Sequence, residues 1–222
     1  RPPGKRIDVQ SCRSSRGMTD VMNGLADIGM VSRALKPQEH DMYGVVVALD
    51  GIGIILHASN PVRELTDEQI KGIYTGAITD WSQVGGWPGM ITVVNKAQGR
   101  STLELFLQHF QLANRDIHPH VVIGDNEQGI KTVAGNPNAI GYVSIGTAHY
   151  DAEQGVPIRL LPLNRIPASL ERVRNRTFPL SRPLTLVTKS PPAGLIKNFI
   201  EFSQSVEVHD LILKHYFVPL QE

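Results

Sequence analysis

Cysteine is almost absent from this sequence of 222 residues, in which Cys12 is the single example. One cysteine excludes an internal disulfide and a cysteine-based metal cluster, and it is compatible with the cytosol and the periplasm alike. Long hydrophobic runs are missing too. The most apolar stretch, residues 43–56, is too short to span a bilayer and is interrupted by Asp50. We therefore expect a soluble protein or domain.

A surplus of charge of one sign is missing as well, because lysine and arginine total 22 while aspartate and glutamate total 21. The arginines are scattered rather than clustered, so the charge pattern does not indicate a nucleic-acid partner. Apolar residues make up 41% of the chain and charged residues 19%, which is ordinary for one large or two small globular domains. Any binding function must therefore be argued from local features.

Sequence signatures of the common enzyme classes are also missing. There is no Gly-x-Ser-x-Gly elbow, no Walker loop and no His-Glu-x-x-His motif, and nothing in the sequence would activate the Cys12 thiol. His118 and His120 could share one side of a strand, but no third metal ligand lies at a useful spacing. We expect no catalytic residue, no metal site and no cofactor.

Short apolar strands alternate with helical patterns along the chain, and this alternation predicts an α/β fold. The strands are rich in Val and Ile without a polar alternation, which is typical of sheets covered on both faces. Strands are predicted over residues 6–10, 26–32, 43–57 (as one strand or two), 90–96, 138–146 and 183–189.

Amphipathic spacing at i, i+3, i+4 and i+7 predicts the helices. One follows the first strand, and another lies over residues 65–76, where Thr66 and Gln69 fit a capping box. A third begins at Asp125 or Asn126, and a short one covers residues 168–175. Two more close the chain. The apolar faces are Met18, Val21, Met22 and Leu25 in the first helix, Leu195, Ile196, Phe199 and Phe202 in the penultimate one, and Val208, Leu211, Ile212 and a packed His215 in the last.

The loop "NKAQGRST" at residues 95–102 lies between a predicted strand and a helix that begins near Ser101. This loop could bind an oxyanion. It combines free N–H groups at the helix start, the small Gly99, two hydroxyls and the charge of Arg100. The same residues have a second interpretation, because Ser101-x-x-Glu104 fits a capping box, in which side chains of the helix itself accept from its first backbone N–H groups. The loop by itself leaves both interpretations open.

The polar loop "SCRSSRG" at residues 11–17 has the same position after a predicted strand and before a helix. Ser14 and Ser15 either cap that helix or bind a ligand. If the two loops face one cleft, arginines that would otherwise be surface residues gather there: Arg13, Arg16, Arg33 and Arg100.

Four collinear stretches resemble the substrate-binding proteins of phosphate ABC transporters, which belong to the type II periplasmic binding-protein superfamily. The most specific is "LTDEQIKGIYTGAITDWSQVGG", which is similar to the family's helix, Thr-Gly turn and Asn/Asp-Trp segment. The others are "ADIGMVSRALKPQE", "NAIGYVSIG" and "FPLSRPLTLVTK". The likeness covers nearly the whole chain.

The resemblance implies an α/β fold of two lobes joined by two crossing strands, with an anion held in the cleft between the lobes. The crossings would fall near residues 50–57 and 139–146. One lobe would be discontinuous, with residues 1–56 plus 146–222, and the other would comprise residues 57–145. The family has a further strand, hydroxyl-bearing loop and helix before the point that corresponds to residue 1.

The resemblance also implies a ligand set on three loops. Ser14 takes the place of the family's anion-binding serine, with Ser15 beside it, and Ser32 and Arg33 end the Asp-Ile-Gly strand. The loop at residues 95–102 replaces a Gly-Ser-Gly-Thr loop. The expected ligands there are Lys96, Gly99, Arg100, Ser101 and Thr102.

Three residues depart from the family pattern. Arg100 stands where the family usually has serine and Ser101 where it has glycine, so this loop is bulkier and more cationic. Arg33 stands where some members place an aspartate that accepts the proton of hydrogen phosphate. We therefore expect this chain to differ from the family in how it selects between hydrogen phosphate and fully ionised sulfate.

Taken together, these features predict a non-enzymatic solute-binding protein that captures inorganic phosphate, or a similar tetrahedral oxyanion, for an ABC permease. The alternatives are a sensory or cell-surface domain that kept the fold, and an enzyme of related fold. The resemblance implies a monomer in the periplasm or outside the cell, either free or anchored as a lipoprotein. We do not expect the first residues of the sequence given to form a signal peptide.

Overall fold

The computed structural model describes residues 7–10 and 14–220, and it confirms the predicted alternation of helices and strands. The helices are α1 (Ser14–Met22), α2 (Asp67–Tyr74), α3 (Ser101–Phe110), α4 (Asn126–Ala134), α5 (Ile145–Glu153), α6 (Leu170–Arg174), α7 (Gly194–Gln204) and α8 (His209–Lys214). The strands are β1 (Gly29–Val31), β2 (Tyr43–His57), β3 (Thr92–Lys96), β4 (Val121–Ile123), β5 (Ala139–Ser144), β6 (Ile158–Leu160), β7 (Ser181–Thr188) and β8 (Val218–Pro219).

The 15-residue strand β2 organises the sheet, so the apolar run over residues 43–57 forms one strand rather than two. Residues 43–51 of β2 pair with β7, and residues 52–57 pair with β5 and β6, all antiparallel. The strand order is β1-β7-β2-β5-β3-β4. The change of partner between Gly51 and Ile52 therefore marks the junction between the two halves of the sheet.

Strands β3, β4 and β5 run parallel, because β3 pairs in parallel with both of the others. Each is followed by a helix, so the starts of α3, α4 and α5 lie at the edge of the sheet where these strands end. Parallel strands place their carboxyl ends at a common edge, and ligands of α/β proteins bind in the crevice there. The topology therefore selects this edge as the place to look for a binding site.

Three apolar clusters pack the helices against the sheet. The largest extends across the change of partner in β2, from Leu49 to Leu56, and includes the fully buried Trp81. A second cluster surrounds Ile55 on β2 and packs α4 against β3, β4 and β5, while a small third one joins α1 to β1 and β7. The fold has the two-lobe plan that was predicted. The exact division at residues 57 and 145 stays a prediction.

Predictions at the N-terminal end were partly wrong. Residues 7–10 form no strand, and Val9 is 74% exposed. Helix α1 ends at Met22, because Gly24 takes φ +71° and stops it before Leu25, which is exposed. Cys12 and Arg13 lie outside the described residues.

The faces predicted for the two closing helices were partly wrong, although Val208 is buried and Ile196 and Ile212 are half-buried as predicted. In α7 the buried residue is Ile200, whereas Leu195, Phe199 and Phe202 are exposed. His215 follows α8 and is exposed rather than packed in the core. Amphipathic spacing identified both helices, but it does not tell which face another element covers.

Candidate anion-binding site

Lys96 is the last residue of β3, and its side chain is buried at the edge where the parallel strands end. Its ammonium donates a hydrogen bond of 2.9 Å to Oδ1 of Asn126, the first residue of α4. Removal from water lowers the pKa of Lys96 to about 8, although the nearby Asp125 partly opposes the shift. An ammonium has three N–H donors, so Lys96 can donate further hydrogen bonds to a bound anion.

A chain of polar groups connects Asn126 to the junction in β2. Oδ1 of Asn126 also accepts a hydrogen bond from the backbone N–H of Ser144 at 3.4 Å. The Ser144 hydroxyl donates to Oδ1 of Asp50 at 2.7 Å, and the Asp50 side chain is 1% exposed. A buried carboxylate requires such partners, because an unpaired charge in the interior is costly.

Arg182 supplies the counter-charge of Asp50. The two residues lie opposite each other in the β2–β7 register, and Arg182 donates to Oδ2 of Asp50 from Nε at 3.0 Å and from Nη2 at 2.7 Å. The remaining terminal nitrogen, Nη1, donates to the hydroxyl oxygen of Ser101 at 2.7 Å. Hydrogen bonds therefore run from Lys96 to the start of α3 through both halves of the sheet.

The capping-box interpretation of the start of α3 is wrong. Ser101 is the first helical residue rather than the cap, since Arg100 has extended backbone angles and takes the cap position without a capping side-chain hydrogen bond. Gly99 precedes it with φ +82°, a conformation that favours glycine. Thr102 is buried in the first turn. The first-turn N–H groups of α3 are thus available to an anion.

The two neighbouring helices differ in how their starts are satisfied. Asp125 caps α4 by accepting from the backbone N–H of Gln128. Ser144 takes the cap position of α5, but its hydroxyl donates to Asp50 and makes no cap hydrogen bond. The exposed Arg100 lies over the loop before α4, where a Cβ added to Gly124 would be 3.6 Å from Nη2 of Arg100. Arg100 therefore adds positive charge beside these helix starts.

The other predicted loops meet at the end of β1. The hydroxyl oxygen of Ser14, the first residue of α1, accepts from the backbone N–H of Ser32 at 3.1 Å. Ser15 is exposed, and Arg16 pairs with Asp20 on the surface of α1. The structure thus brings Ser14 and Ser32 together, while Ser15 and Arg16 remain at the surface.

Arg33 is bound by a carboxylate. Its two terminal nitrogens donate to the two oxygens of Glu39 at 2.7 Å each, and both side chains are largely buried. This hydrogen bonding raises the pKa of Arg33 and lowers that of Glu39. Glu104 on α3 also raises the pKa of Arg33, so this pair and the start of α3 are close enough to interact electrostatically. Glu39 compensates much of the charge that the sequence assigned to the site.

Residues 1–207 match the model of the PBP superfamily domain. The chain belongs to this superfamily. A putative phosphate ABC transporter substrate-binding protein from Clostridium perfringens, solved with bound phosphate, is 32% identical with a TM-score of 0.81, over 94% of this chain and 85% of that one. An ABC-type phosphate transport receptor from Vibrio cholerae is 31% identical with a TM-score of 0.80, over 92% and 84%.

A curated relative, the phosphate-binding protein PstS of Bacillus subtilis (strain 168), is 23% identical over 225 residues, which are 99% of this chain and 73% of that protein. The resemblance to binding proteins of phosphate ABC transporters is therefore confirmed. In the part of this PBP-superfamily chain that the structure describes, no helix is long and apolar enough to cross a membrane. No cluster of potential metal ligands occurs among the same residues.

Sequence reasoning missed four polar residues of this candidate site, because the contacts join distant parts of the chain. Asp50 and Arg182 are 132 residues apart, and Asp50 and Ser144 are 94 apart. One signal was present: Asp50 is the single charged residue within the apolar run of β2. A buried acid in a central strand needs a partner, and this rule alone would have prompted a search for Arg182. The residues missed were Asp50, Asn126, Ser144 and Arg182.

Proposed function

We propose that this chain captures inorganic phosphate for an ABC importer and performs no chemistry. The observation that carries the proposal is the buried Lys96 ammonium beside the start of α3, whose first-turn N–H groups have no capping side chain. A buried cation next to free helix donors is poorly satisfied without an anion. The two similar solved structures are described as phosphate transport proteins, and one contains phosphate.

The proposed ligand set comprises most of the residues that the resemblance implied. On one side, Lys96 supplies charge, and the segment from Gly99 to Thr102 supplies backbone N–H groups and hydroxyls. On the other side, the Ser14 hydroxyl accepts from the Ser32 backbone N–H, so its own hydrogen can donate to the anion, and Ser32 supplies a second hydroxyl beside it. We leave out Ser15, which is exposed, and Arg33, which is paired with Glu39. Arg100 contributes through its charge at the rim.

Closure of the two lobes over the anion would remove water from these contacts. Charge-assisted hydrogen bonds are stronger in such a water-poor site than at the surface. Hinge closure around a ligand is a general property of two-lobe binding proteins. The long strand β2, which belongs to both halves of the sheet, is the element about which such a movement would occur.

Isothermal titration with phosphate, repeated with sulfate at low and near-physiological salt, tests the proposal. We expect phosphate to bind at both salt concentrations, because a buried contact is screened less than a surface one. Lys96→Met removes the buried cation and should abolish most of the heat, while Lys71→Met, on the exposed surface of α2, serves as the matched control. Absence of binding by the wild-type chain would reject the proposal.

Comparison of phosphate with sulfate tests the selectivity of the site. Equal binding of phosphate and sulfate that fades with salt would show an unselective cationic cleft. Preference for phosphate would show that a group other than residue 33 accepts the proton of hydrogen phosphate, since that position holds an arginine paired with Glu39.

The proposed partner is the permease of an ABC importer, which places the protein in the periplasm or outside the cell, as a monomer. The named relatives are binding proteins of such transport systems rather than enzymes. A pull-down from solubilised membranes, with and without phosphate, should recover a permease and its ATPase. Recovery of a kinase or an adhesin instead would favour a sensory or cell-surface role for the same fold.

A further inference from the structure

The hydroxyl of Ser101 has a defined direction. Nη1 of Arg182 donates to Oγ of Ser101 at 2.7 Å. A guanidinium has donors and no acceptor, so in this contact the serine oxygen must accept. The hydroxyl hydrogen of Ser101 therefore points away from Arg182 and is left to donate to another group.

Arg182 is itself fixed by Asp50. Two of its nitrogens donate to the same carboxylate oxygen, and the two side chains are 11% and 1% exposed. Asp50 is in turn held by the Ser144 hydroxyl at 2.7 Å. Because Asp50 compensates the guanidinium charge, the main effect of Arg182 on Ser101 is orientation and not added positive charge.

The contact also links two distant elements. Arg182 lies near the start of β7, on the β2–β7 half of the sheet, while Ser101 is the first residue of α3, which follows β3 on the other half. Glycine or alanine at position 101 would offer no hydroxyl for the arginine to hold. The linkage is thus specific to the serine in this chain.

We propose that Arg182, held by Asp50, is a positioning residue for anion binding that fixes the Ser101 hydroxyl as a donor to the bound oxyanion. This inference rests on the proposed function, because the oxyanion is inorganic phosphate in that proposal. Ser101 makes the direct contact with the anion. Arg182 acts through Ser101 and not through a contact of its own.

A double-mutant cycle with inorganic phosphate, measured by isothermal titration on the full chain, tests the inference. Ser101→Ala should weaken phosphate binding about tenfold to a hundredfold, the usual effect of losing a hydrogen bond to a charged group. Arg182→Lys keeps a positive charge beside Asp50 but loses the planar fork that reaches both partners. It should weaken binding about tenfold when residue 101 is serine, and less than about twofold in the Ser101→Ala background.

Two controls accompany the cycle. Ser203→Ala removes a hydroxyl that donates within α7, to the carbonyl of Phe199, and should leave phosphate affinity unchanged. Thermal unfolding of every variant shows whether Arg182→Lys is folded. If it is not, the affinity of Ser101→Ala still tests the direct contact with the anion on which the inference depends, because the first turn of a helix tolerates alanine.

The outcomes separate the two proposals. Equal losses from Arg182→Lys in both backgrounds would overturn the inference, since Arg182 would then act independently of Ser101. Unchanged affinity of Ser101→Ala would overturn it as well. A wild-type chain that binds no phosphate would instead overturn the proposed function, and the inference with it.

Discussion

At the residue scale, Lys96 stands out because it keeps a titratable amine in the interior. Burial is the main reason why the pKa of Lys96 is low, and the nearby Arg100 and Arg182 lower it further. The hydrogen-bond partner of the ammonium is the neutral Asn126. A lysine in such a place lowers the stability of the ligand-free protein at neutral pH. Proteins tolerate this kind of local cost where binding requires it.

We expect the free energy of unfolding of the ligand-free chain to rise between about pH 8 and pH 10.5. The folded protein releases the Lys96 proton at about pH 8, whereas the unfolded chain holds it up to the ordinary value of 10.5. The unfolded state then binds more protons in this window, so stability increases with pH, by up to roughly 3 kcal/mol. Urea unfolding at several pH values measures the rise.

Lys96→Met should lack most of this rise and should be more stable than the wild type at pH 7, because no charge is buried. Lys71→Met, on the exposed surface, should keep the wild-type pH profile. A Lys96→Met profile parallel to that of the wild type would show that Lys96 is not the titrating group.

At the scale of single elements, the start of α2 is determined by its own sequence. The Thr66 hydroxyl accepts from the backbone N–H of Gln69 at 3.2 Å, and the Gln69 side chain accepts from the Thr66 N–H at 2.9 Å. Thr66→Ala should destabilise the protein by about 1 kcal/mol in chemical denaturation, because the backbone N–H of Gln69 loses its acceptor. Thr66→Ser keeps the cap and should remain close to wild type.

The start of α5 depends instead on a distant segment. Gly146 lies against the backbone carbonyl oxygen of Tyr216, and an added Cβ would collide with that oxygen. Because the obstacle is backbone, no side-chain rotation relieves it. Gly146→Ala should therefore lower the free energy of unfolding by roughly 3 kcal/mol.

Gly124→Ala is the matched control for that substitution. A Cβ added to Gly124 would meet its nearest neighbour, Oε1 of Gln128, at 3.4 Å, an ordinary contact. The control should change stability by less than about 1 kcal/mol. Similar losses for the two variants in urea denaturation would mean that the contact with Tyr216 gives way easily.

At the scale of the whole molecule, ligand binding and stability are linked. An anion that binds the folded chain alone stabilises it by about 2.7 kcal/mol at a concentration one hundred times the Kd. For a protein of this size the Tm should then rise by about 5 to 10 °C, and differential scanning calorimetry with increasing phosphate measures it. Lys96→Met should show a much smaller shift at the same concentrations. A wild-type Tm independent of phosphate would contradict the prediction.

The sequence by itself determined most of the helices, the longer strands and their order, whereas α5 and the short strand β4 were not predicted. Apolar spacing located α2, α3 and α4, and the cap of α2 at Thr66 was readable because its partner lies three residues away. Four collinear motifs identified the family. All of these features depend on neighbouring residues, or on a resemblance that follows chain order, so no knowledge of distant contacts was needed.

Tertiary structure decided what those elements face. Leu195 and Phe199 of α7 and His215 after α8 were predicted to be packed but are exposed. Periodicity therefore does not specify which side of a helix a neighbouring element covers. The pairing of Arg33 with Glu39 also required the folded loop. The buried link from Asp50 through Arg182 to Ser101 joins three elements far apart in the chain. Packing and electrostatics act through space, and only the fold brings these three residues within hydrogen-bond distance.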